Sequence, residues 1–103
     1  MPEFVINGER FAIGFEETTT HPGIFFPYLA VKNGTSWDII RRRDPMWSDI
    51  QEDITPEKMA DLIVSDFNQV IAERSGQPVS WIDRLKLIFD TRLAVEMHRL
   101  VLT

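Results

Sequence analysis

Asp49, Glu52 and Asp53 are spaced i, i+3 and i+4, which would set three carboxylates on one helix face, with Asp44, Glu57 and Asp61 close by in sequence. Such oxygen-rich groups suit magnesium or calcium. The calcium-loop spacing with its central glycine is absent, and paired carboxylates of the glycosidase kind need a cleft that 103 residues hardly provide. A solvated acidic face is the plainer reading. Histidine adds little. His21 precedes Pro22-Gly23 with only threonines as neighbouring nucleophiles, and the residues three and four away from His98 are Ala94, Val95, Val101 and Leu102, none a metal ligand. Cysteine is absent, which excludes thiol catalysis, disulfides and thiolate zinc sites. No phosphate loop, nucleophile elbow or dinucleotide fingerprint occurs. The chain is therefore expected to be no enzyme and to use no metal or cofactor.

Charge is more informative than any motif. Residues 44–78 carry eight acids and two bases, whereas 1–43 are balanced and 79–103 carry one excess base. Arg41, Arg42 and Arg43 stand directly before the acidic stretch. On a strand they point alternately to opposite faces and form no single patch. They pair with the acids that follow, or they anchor a recognition surface together with Trp47, Asp49, Glu52 and Asp53. A net charge of −5 disfavours direct nucleic-acid binding.

The elements that must position these groups divide the chain in two. Asn7-Gly8 lies between Phe4-Val5-Ile6 and an alternating run through Phe11, Ile13 and Phe15. Both turn residues tolerate positive φ, so a type I′ hairpin is predicted, with Phe4 opposite Phe11 and Ile6 opposite Glu9. Asn33-Gly34 repeats the device between strands 24–32 and 35–42, setting Ala30 against Trp37 and Tyr28 against Ile39 on a buried face. Pro27 lacks an N–H, which places its strand at an edge or at a bend. Phe25, Phe26 and Tyr28 give that strand large groups on both faces, so its second face is covered or binds something.

Thr55-Pro56-Glu57 opens a helix and Ser75-Gly76 ends it, with Met59, Leu62, Ile63, Phe67, Val70 and Ile71 at helical spacing. Ser80 and Asp83 resemble a capping box that opens a second helix. Their short connection makes the two helices antiparallel. The expected fold is α+β: two β-hairpins forming an antiparallel sheet, followed by an antiparallel helix pair packed on one face. A single domain covers 1–103, with a β-rich half (1–43), an acidic connection (44–55) and a helical hairpin (56–103).

The second helix is apolar over about 220° of its circumference, wider than one packing face needs. One stripe, Ile82, Leu85, Phe89, Leu93, Met97 and Leu100, is expected to cover the sheet or the first helix. The other, Trp81, Ile88, Val95 and Leu102, is expected to form a homodimer interface.

The opening Phe-Val-Ile-Asn-Gly-Glu-Arg-Phe resembles the start of small phage tail-assembly proteins over the first hairpin, and implies a small accessory protein that acts by binding. Met-Pro-Glu-Phe has neither the basic nor the apolar part of a signal peptide, and the apolar run Gly23–Val31 is broken by Pro27. A cytoplasmic protein without a membrane span is expected. The function read from the sequence is non-enzymatic interaction or assembly with protein partners, including itself. The alternative is an acidic inhibitor that mimics nucleic acid and occupies the basic groove of a nucleic-acid-binding protein.

Overall fold

A computed structural model describes residues 3–17, 24–43, 46–47 and 56–102. Its elements are β1 (Glu3–Ile6), β2 (Glu9–Glu17), β3 (Ile24–Asn33), β4 (Ser36–Arg42), β5 (Met46–Trp47), α1 (Pro56–Ser75) and α2 (Trp81–Leu102). The strands form one antiparallel sheet in the order β1-β2-β3-β4, and β5 continues past β4 along β3. The fold is α+β, as the hydrophobic periods predict.

The first hairpin has the expected register, Phe4 against Phe11 and Ile6 against Glu9. Asn7 (φ 51°) and Gly8 (φ 83°) both take the left-handed conformation a type I′ turn requires. The second hairpin differs. Its two loop residues are Gly34 and Thr35, so Ala30 pairs with Ile39 and Lys32 with Trp37, two residues from the expected register. Only Gly34 (φ 63°) has positive φ, as a type II′ turn needs at its first loop position, and β-branched Thr35 is spared that strain. Ser36 closes the turn by donating to the Asn33 carbonyl at 3.0 Å.

Pro27 does not mark an edge, because β3 lies between β2 and β4. It is buried, and its carbonyl accepts a hydrogen bond from the Arg43 N–H at 2.9 Å. In an antiparallel strand a residue's N–H and C=O point the same way, so the missing donor faces Arg43, and this pair keeps one of the two bonds that a hydrogen-bonded pair exchanges. A bulge lies two residues further on, where the register against β4 shifts between Leu29 and Ala30 and Ile40 becomes the extra residue.

The helices cover the face formed by Phe4, Ile6, Phe11, Ile13, Leu29 and Val31. The expectation for β4 is corrected here: Trp37 and Ile39 share the opposite face with Ala30 and Tyr28 and are only half-buried. Pairing Phe11 with Val31 and Ile13 with Leu29 concentrates the bulkier aliphatic surface under the helices, and this decides which face turns inward.

Helix α1 starts at Pro56 and stops where Gly76 turns left-handed (φ 68°). It crosses the sheet from the end of β4, where the Arg43 guanidinium donates to the Leu62 carbonyl, to the β1–β2 turn. There Asn7 Nδ2 donates to Ser75 Oγ at 2.9 Å, and Arg74 pairs with Glu9 at 2.9 Å. Helix α2 returns beside α1 and lies against β1 and β2.

Candidate functional site

Ser80 starts α2 as its N-cap, accepting from the Asp83 N–H at 3.2 Å, while Asp83 sits 3.5 Å from Lys86 in the first turn. The face that α2 turns inward is built from Leu87, Thr91, Ala94 and Val95, all buried, with Ile88 packed against the same core. Ala94 and Thr91 are small enough to bring the helix close to its neighbours. The bulkier stripe is left outside. Trp81 is 72% exposed and Phe89 65%, and Ile82, Leu85, Leu93 and Met97 are exposed with them.

The stripe expected to pack inward is thus the exposed one. Val95 is only 3% exposed and faces the core, and Ile88 is half-buried against it. Of the residues assigned to an interface, Trp81 is on the surface, and Leu102 ends α2 with its side chain outside the described residues. The missed residues are Ile82, Leu85, Phe89, Leu93 and Met97. The signal that could have found them is size: the stripe holding Ala94 and Thr91 suits close helix packing, whereas the Leu/Phe/Met stripe does not require it.

Helix α1 shows that an exposed apolar stripe is not general to this layer. Its outward side carries Lys58, Asp61, Ser65, Gln69 and Glu73, with Leu62 the one large exposed apolar side chain described. Projected at about 100° per residue, the α2 stripe lies opposite the buried face, and Leu85, Phe89, Leu93 and Met97 form a single i+4 row along it. Charged residues flank the row. Arg92 lies 3.8 Å from Asp61 of α1, and burial raises the Asp90 carboxyl above its ordinary value despite the opposing effect of Lys86. No family, curated protein or solved structure matches this chain.

The arginine run does alternate between faces. Arg41 makes a two-point contact with Asp66 of α1 (2.9 and 3.1 Å), Arg42 crosses β3 to reach Glu16 at 3.0 Å, and Arg43 turns to Leu62. Each is engaged within the chain. Asp49, Glu52 and Asp53 lie outside the described residues, and of Trp47 only the backbone in β5 is described. Among the described residues no three acidic or histidine side chains come together as a metal site would need. None of the described helices is long and apolar enough to cross a membrane.

The sheet's outer face is a second, weaker candidate. Tyr28 lies across Gly14, where an added Cβ would fall 2.3 Å from the phenol oxygen. Burial, and then the charge of Glu16, hold the Tyr28 hydroxyl above its ordinary pKa. Lys32 caps the Trp37 ring at 5.6 Å, and Ala12 and Ala30 form a small buried floor between these groups. Its bulky groups are thus half-covered by their own neighbours, unlike those on α2.

Proposed function

We propose that the chain is a non-enzymatic protein that acts by binding other protein chains, itself among them, through the outward face of α2. The observation that carries this reading is the row of large apolar side chains left exposed on α2, beside an α1 whose outward side is polar. Contiguous apolar surface of this kind marks sites of protein association. Arginine pairing of the described acids Asp61 and Asp66 gives the acidic-inhibitor reading no separate support. The proposed setting is cytoplasmic assembly, and no cofactor takes part.

The test is capture of targets from the native source with the full chain and with Leu93→Glu. Retention that is insensitive to salt and lost in Leu93→Glu, with an unchanged helical signal, is expected for an apolar interface. Targets that are held by the variant and released steeply by salt would overturn this reading in favour of charge-driven binding.

A further inference from the structure

We draw no further inference here: the strongest candidate, the exposed apolar row of Leu85, Phe89, Leu93 and Met97 along the outward face of α2, belongs to the surface already described, and nothing in the structure shows what covers it.

Discussion

Glutamate placed at 93 or at 95 distinguishes the two faces of α2 with one change of chemistry two residues apart. Val95 is 3% exposed, within a core that includes Phe67, Ile71 and Leu87. Val95→Glu removes a buried aliphatic side chain, a loss of about 1.5–3 kcal/mol. It also confronts the core with a carboxyl group. Holding that group neutral at pH 7 costs about 3.7 kcal/mol, from an ordinary glutamate pKa near 4.3 and 1.36 kcal/mol per pH unit. The sum, roughly 5–7 kcal/mol, equals much or all of the stability of a domain this size. Leu93 is 52% exposed. Leu93→Glu is expected to change monomer stability by no more than about 1 kcal/mol, the range of surface substitutions. Urea unfolding followed by far-ultraviolet circular dichroism, at the lowest usable protein concentration, measures both. Val95→Glu should lack a cooperative transition or lose most of its midpoint, and Leu93→Glu should nearly overlay the wild type. A stable Val95→Glu with an unfolded Leu93→Glu would show that α2 is rotated by half a turn and would refute the whole assignment of its faces.

Three further outcomes follow from local geometry. Tyr28 is the sole tyrosine, so phenolate absorbance reports it alone; its midpoint should lie above the ordinary value of about 10 and fall in Glu16→Gln. Because the folded-state value is raised, the unfolded chain ionises first, so this group's contribution to stability is complete below pH of about 10 and is lost as pH rises through the folded value. Gly14→Ala should displace the Tyr28 ring and cost about 1–3 kcal/mol in thermal or urea unfolding, the range for overpacking. Ser80→Ala should cost about 1 kcal/mol through loss of the α2 cap, and Ser80→Asp should recover most of it.

Local signals were legible where one residue type has one conformational use. Asn7-Gly8 fixed the first hairpin and its register, and Pro56 and Gly76 bounded α1 to the residue. Asn33-Gly34 misled because the dipeptide admits two loop placements, with both residues in a type I′ loop or with Gly34 first in a type II′ loop, and the second is the one adopted. Pro27 misled because a central strand can carry a proline at the cost of one ladder bond, here opposite Arg43, the residue that follows β4. The division of α2 into inner and outer faces needed the depth of its contact with α1, β1 and β2, which periodicity does not contain. Both stripes have helical spacing; only Ala94 and Thr91 distinguish the one that packs closely. The acidic segment reads as a solvated face in the sequence; Asp49, Glu52 and Asp53 lie outside the described residues, and Asp61 and Asp66 pair with Arg92 and Arg41.

The bulge at Ile40 and the break between β4 and β5 have a consequence for aggregation. A flat border strand offers its unpaired amide and carbonyl groups as a template for a foreign strand, and cross-β growth begins at such borders. Here one border is β1, only four residues long. The other is bent at Ile40 and interrupted after Arg42, so an incoming strand finds its ladder out of step within a few residues. For a first half this rich in aromatic and β-branched residues, both borders of the described sheet thus lack the long, flat strand on which cross-β pairing grows.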